Sequence, residues 1–209
     1  MIVVIDYDMG NIRSVEKALA KIGAEFKVSN QKKDLEKATH IIIPGVGSFD
    51  KGMRNFEKLG LTEMLKKEVL EKKKPLLGIC LGMQLLFKTS EEGMGVNGLG
   101  FIDGDVKRFK FEYKPWLKIP HTGWNDVFGE GILLMPLFKN IKQYSNFYFV
   151  HSYHAVLNET INCGYTNYGY HYISVVQKEN IYGVQFHPEK SQKKGLDILR
   201  NFAALPGAD

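Results

Sequence analysis

Cys80 lies in Pro75-Leu76-Leu77-Gly78-Ile79-Cys80-Leu81-Gly82-Met83-Gln84, an apolar run interrupted by Gly-x-Cys-x-Gly. This is the spacing of a nucleophile elbow, a strand-to-helix turn that strains its central residue and leaves no room for side chains two positions away on either side. The central side chain is presented rather than buried. A cysteine there also stands at a helix start, where free N–H groups and partial positive charge favour the thiolate, the form that attacks carbonyls. The attack needs a base to take the thiol proton and return it to a leaving amine, and the base needs an orienting carboxylate. Gly183-Val184-Gln185-Phe186-His187-Pro188-Glu189-Lys190-Ser191 offers both: an apolar strand ends at His187, Pro188 keeps the chain extended, and Glu189 follows two positions on. Either segment alone is weak, because tight turns are common and so are structural histidines, of which His40, His121, His151, His154 and His171 are candidates. Together they predict nucleophilic catalysis by Cys80, His187 and Glu189.

Other chemistry fits less well. There is no Cys-x-x-Cys, and His151 with His154 lacks a second ligand pair at zinc spacing, so no metal site is expected. Gly45-x-Gly47 is followed by Asp50 where a dinucleotide fingerprint needs its third glycine. The net charge of +5 and pI near 9.0 raise the question of an acidic partner. However, Lys66, Lys67, Lys72, Lys73 and Lys74 alternate with Glu63, Glu68 and Glu71, as on a solvated helix face, and no nucleic-acid motif is present. The aromatic cluster from Tyr165 to Tyr172 reads as half-buried sheet rather than a base-stacking platform. Cys80 and Cys163 are expected to be free thiols.

The elements that must position these groups follow from hydrophobic period. Ile2 to Ile5 is a short buried strand, and Ile12, Val15, Leu19 and Ile22 mark a helix stopped by Gly23. Phe26-Lys27-Val28 and Ile41-Ile42-Ile43 are further strands, 49–72 forms one or two helices, and Leu76 to Ile79 is the strand feeding the elbow. This alternation predicts parallel strands with crossover helices and sites beyond their carboxyl ends, where Asp6 to Asn11, Pro44 to Ser48 and the elbow all fall. From about Gly100 the runs shorten and turn aromatic: Phe101 to Val106, Trp124 to Phe128, Phe147 to Ala155, Tyr170 to Val176 and Ile181 to Phe186 predict a mostly antiparallel portion, before a closing helix over Ser191 to Leu205. The 209 residues, 44% apolar, suffice for one full core, so a single domain over 1–209 is expected. Met1 to Asp6 lacks a charged leader and no apolar stretch approaches the roughly 18 residues of a membrane span, which predicts a cytoplasmic protein.

Four segments in one order, Pro44-Gly45-Val46-Gly47, Gly78 to Gln84, Tyr148-Phe149-Val150-His151-Ser152-Tyr153 and Gln185 to Ser191, resemble the class I (triad) glutamine amidotransferases along the whole chain. Ile5-Asp6-Tyr7 with Met9-Gly10-Asn11, Gln84 to Phe87 continuing helically towards Ser90-Glu91-Glu92-Gly93, and Pro120-His121-Thr122-Gly123-Trp124-Asn125 are similar to glutaminase subunits of imidazole glycerol phosphate synthases. The resemblance implies an α/β fold of that class and hydrolysis of L-glutamine by Cys80, His187 and Glu189 without a cofactor. It implies an oxyanion hole from Leu81 and the Gly45-Val46-Gly47 loop, and glutamine held by Gln84, Glu92, Ser152 and Tyr153. It also implies a heterodimer with a (β/α)₈ barrel synthase that docks on Asn11, Trp124, Tyr148 and Lys190 and receives the ammonia through a channel. Asp8 and Thr122 stand where most such subunits have Gly and Met, which keeps open a paralogous subunit feeding a bacterial surface-sugar amidotransferase. A lone-acting cysteine hydrolase and a non-catalytic binding protein of this fold are the remaining alternatives.

Overall fold

The computed structural model describes residues 1–93, 95–112, 114 and 116–207. Strands β1 (Ile2–Ile5), β2 (Phe26–Ser29), β3 (His40–Ile43) and β4 (Leu76–Ile79) form a parallel set in the order β2-β1-β3-β4. Helix α1 (Ile12–Lys21) links β1 to β2, the short α2 (Lys32–Lys37) links β2 to β3, and α3 (Phe49–Lys58), α4 (Leu61–Leu65) and a π-helical turn (Lys66–Glu71) link β3 to β4. Because strand side chains alternate, Ile2, Val4, Ile42 and Leu77 point to the face covered by Val15 and Leu19 of α1, whereas Val3, Ile5, Ile41, Ile43 and Leu76 meet Phe49, Met53 and Phe56 of α3. Both faces are thus apolar, as a parallel sheet requires.

The rest of the main sheet continues outward from β4 as β12 (Ile181–Val184), β11 (His171–Lys178), β9 (Tyr153–Leu157), β6 (Gly104–Arg108) and β5 (Thr89–Ser90), with β10 (Asn162–Asn167) on β11. Strands β7 (His121–Val127) and β8 (Ser145–His151) make a separate antiparallel sheet. A short helix, α6 (Glu130–Leu133), follows β7, and α7 (Gln192–Ala203) closes the chain against the α1 face through Ile198, Leu199 and Phe202. No helix among the described residues is long and apolar enough to cross a membrane.

Four expectations need correction. The run Phe147 to Ala155 is not one strand: it breaks at Ser152, sending β8 into the small sheet and β9 into the main one. The segment from Ile181 pairs antiparallel with β11, as expected, but also parallel with β4, so the last strand joins the antiparallel portion to the parallel core. After the elbow, α5 (Leu81–Gln84) is a single turn followed by tight turns to Phe87, because the chain must enter β5 beside β6. The strand near Gly100 is also displaced, to Gly104–Arg108.

Candidate active site

Two adjacent parallel strands build the site. Ile79 pairs with Val184, and the Cys80 N–H donates to the Val184 carbonyl at 2.8 Å, so the residue after β4 and the residues after β12 leave the sheet at the same edge. Cys80 has φ 52° and ψ −107°, the left-handed strain expected of an elbow nucleophile. The strain is held by close backbone approach. A Cβ on Gly82 would overlap the Ile43 carbonyl oxygen of β3, and one on Gly78 would stand 2.6 Å from the Gly82 oxygen. The Gly82→Ala variant is therefore expected to lose about 3 kcal/mol or more of stability, read as a lower midpoint in urea, since backbone cannot move aside as a side chain can.

His187 is pinned on three sides. Its N–H donates to the Tyr148 carbonyl at 2.9 Å, its carbonyl accepts the Ser191 hydroxyl at 2.6 Å, and that hydroxyl accepts the Tyr148 N–H at 2.9 Å. Its Nδ1 lies 2.8 Å from Glu189 Oε1, both side chains being buried. Nε2 is left for Cys80 and has no aligned hydrogen bond, although the sulfur is near enough to bias its titration. Burial opposes the charged ring. Even so, negative charge at Cys80, together with the Glu189 carboxylate, outweighs that cost and pushes His187 up to about 10. Cys80 Sγ also lies 3.8 Å from the Val150 carbonyl and 3.6 Å from Gln185 Nε2.

A cavity of about 290 Å³ opens over the sulfur, lined by Val46, Gly47, Leu81, Gln84, Glu92, Ser152 and Tyr153 among others. Leu81 is the first residue of α5, a position whose N–H has no intrahelical acceptor. Gly45 is wedged against the elbow, where a Cβ would meet Leu81 Cβ at 2.6 Å, and Gly47 has φ +120°. The buried Tyr7 hydroxyl donates to the Pro44 carbonyl at 2.6 Å and so anchors the start of this loop. Gln84 donates both Nε2 protons, to the Tyr153 carbonyl at 3.0 Å and to Gln185 Oε1 at 3.1 Å, which leaves Oε1 to accept from a ligand. Glu92 Oε2 accepts the Phe49 N–H at 2.9 Å at the start of α3, and burial raises its carboxyl above the ordinary value.

Outside the cavity, Trp124 and Tyr148 meet edge to face at 6.1 Å, with Lys190 Nζ 5.8 Å from the Tyr148 ring centre. Trp124 is 48% exposed. Asn11 precedes α1, which packs against the Pro188–Lys190 turn. Tyr7, Gln185 and Ser191 are contacts that motif reading gave no role. Gln185 alone left a trace, as an amide inside the apolar run Val184-Gln185-Phe186.

The site thus sets a strained cysteine at a parallel-strand end beside an imidazole and a carboxylate that follow the neighbouring strand. In agreement, residues 3–205 match the glutamine amidotransferase class-I family, to which this chain belongs. Within that family the chain is 47% identical over 205 residues to imidazole glycerol phosphate synthase subunit HisH 1 of Campylobacter jejuni, covering 98% of this chain and 100% of the relative. It is 48% identical to subunit HisH 2 of Methanococcus maripaludis, covering 97% of this chain and 98% of the relative. Among solved structures, PurLQS from Thermotoga maritima superposes with a TM-score of 0.71 over 96% of both chains at 18% identity, a likeness of fold.

Proposed function

We propose that this chain is the glutamine-hydrolysing subunit of an imidazole glycerol phosphate synthase serving histidine biosynthesis in the cytoplasm, folded as one amidotransferase domain over 1–209. The carrying observation is the convergence of Cys80 and His187 at the ends of adjacent strands β4 and β12, in a chain nearly half identical to such subunits along its length.

In this reading Cys80 Sγ attacks the side-chain amide carbon of glutamine. His187 takes the thiol proton and delivers it to the leaving ammonia, while Glu189 holds the imidazole through Nδ1. The tetrahedral oxyanion is met by the Leu81 N–H and by the Gly45-Val46-Gly47 loop, and water then cleaves the thioester to glutamate. Gln84 Oε1 and backbone groups at Ser152 and Tyr153 hold the substrate, and Glu92 binds its ammonium. A cavity of about 290 Å³ suits one amino acid. A (β/α)₈ barrel synthase docks on Asn11, Trp124, Tyr148 and Lys190 and receives the ammonia.

The test is glutamate release with and without the barrel subunit. Release by neither preparation refutes the glutaminase, and a partner that does not accelerate it refutes the docking. Glu92→Gln keeps an acceptor for the Phe49 N–H but removes the charge, so KM for glutamine is expected to rise about 10- to 100-fold, the worth of a charge-assisted bond, with kcat little changed. A second reading, a paralogous subunit supplying a surface-sugar amidotransferase, is favoured by Asp8 and Thr122. Ammonia transfer to each candidate acceptor enzyme distinguishes the two.

A further inference from the structure

His121 and His151 are cross-strand partners in the β7–β8 sheet, both buried, and neither has a part in the chemistry above. Their surroundings dictate where their protons sit. His151 Nδ1 lies 2.7 Å from the Tyr153 carbonyl oxygen, which can only accept, so Nδ1 carries the proton and Nε2 of the neutral ring is an acceptor. His121 Nδ1 lies 3.2 Å from that Nε2, and the Tyr172 hydroxyl stands 3.2 Å from both nitrogens. On the far side, His121 Nε2 is 3.3 Å from Asn125 Nδ2. The Asn125 amide cannot be turned over, because its Nδ2 donates to the Asn167 carbonyl at 2.9 Å and its Oδ1 accepts the Asp126 N–H at 2.8 Å. His121 Nε2 must therefore accept and its Nδ1 donate. Every bond points one way: Asn125 to His121, His121 to His151, His151 to the Tyr153 carbonyl. Burial keeps both rings neutral, pushing His121 down to about 4 and His151 to about 3.

The chain ends in the site. The same Tyr153 carbonyl accepts the Gln84 Nε2 proton, Gln84 is tied to Gln185, and Gln185 Nε2 faces Cys80 Sγ. Resting on the reading of Gln84 as a glutamine-binding residue, we propose that Asn125, His121 and His151 form a strut that fixes the Gln84 amide through the Tyr153 carbonyl and makes glutamine binding depend on the position of the β7–β8 hairpin. That hairpin carries Trp124 and Tyr148, so whatever docks on them loads one end of the strut while the other end orients the substrate acceptor. His121 and His151 are positioning residues. His121 lies outside the cavity and His151 is part of its wall, but the ring nitrogens of both are taken up by the strut, and they act by holding a carbonyl at the depth where it can take both protons. Without the strut, the Tyr153 peptide is free to tilt and Gln84 regains its rotamers.

His121→Phe tests this, since it keeps a ring between Tyr168 and Phe149, stacked at centroid distances of 4.0 Å and 5.0 Å, and removes both nitrogens. With the barrel subunit bound, KM for glutamine is expected to rise roughly fivefold, the scale of one hydrogen bond, with kcat within about twofold. His121→Gln, which retains a donor and an acceptor, should recover part of the loss. In a Gln84→Ala background, His121→Phe should add nothing, because the residue through which it acts is gone. An unchanged KM in His121→Phe, or full additivity with Gln84→Ala, overturns the proposal. Nitrogen NMR of the parent chain should show both rings as the Nδ1–H tautomer, and an Nε2–H on either ring also overturns it. That spectrum needs no turnover, so a parent that releases no glutamate counts against the glutaminase reading alone.

Discussion

Cys80→Ala is expected to release glutamate at least about 10⁴-fold more slowly than the parent with the synthase subunit bound, while still binding glutamine. Removing the sulfur leaves the cavity, Gln84 and Glu92 in place, so binding and chemistry should separate. The elbow geometry makes the result diagnostic. A sulfur held at φ 52° between β4 and α5 has no neighbouring nucleophile to take over, since Val150 and Gln185 offer only a carbonyl and an amide. A variant with a tenth or more of the parent rate would show that another group attacks. Steady-state glutamate release and glutamine titration of the variant by calorimetry supply both numbers.

Acid should destabilise the protein well above the range where carboxylates titrate. Burial holds His121 and His151 at about 4 and about 3, against 6.5 in an unfolded chain. As pH falls below 6.5 the unfolded chain takes up protons that the folded one refuses, so stability is lost in that direction. At about 1.4 kcal/mol per pH unit per ring, the two together cost on the order of 6 kcal/mol by pH 4, comparable to a typical domain's whole stability. His40 and His154, also lowered chiefly by burial, add to the same window. His187 works oppositely: its raised folded value gives stability that is full below 6.5 and is lost as pH climbs towards about 10. Urea midpoints at pH 7, 6, 5 and 4.5 should fall steadily in the parent and less steeply in His121→Phe. A flat profile over that range would contradict the assigned burial.

Much of this was legible in residue order because parallel strands and their loops are locally specified. Ile2 to Ile5, Ile41 to Ile43 and Leu76 to Ile79 are short runs without a polar residue, and runs buried on both faces have no other reading in a chain with helical spacers. The elbow was legible for the same reason, since its two glycines answer to contacts with Ile43 and with each other. The split at Ser152 was not, because Phe147 to Ala155 has one continuous aromatic and apolar pattern and its division between sheets depends on which distant strand each half meets. Nor was the parallel pairing of β12, for Ile181 to Val184 alternates no differently in either orientation. Among site groups, the Ser191 hydroxyl clamp and the amide rail from Gln84 through Gln185 to Cys80 are contacts across 43 to 105 residues, invisible to spacing rules.

The wedge of Gly45 against Leu81 also limits how the substrate loop can move. Tyr7 clamps the peptide before it, and the elbow blocks the α-carbon itself. A crankshaft rotation leaves the flanking α-carbons where they are, so the Pro44–Gly45 peptide is held while the planes joining Gly45 to Val46 and Val46 to Gly47 keep their torsional freedom.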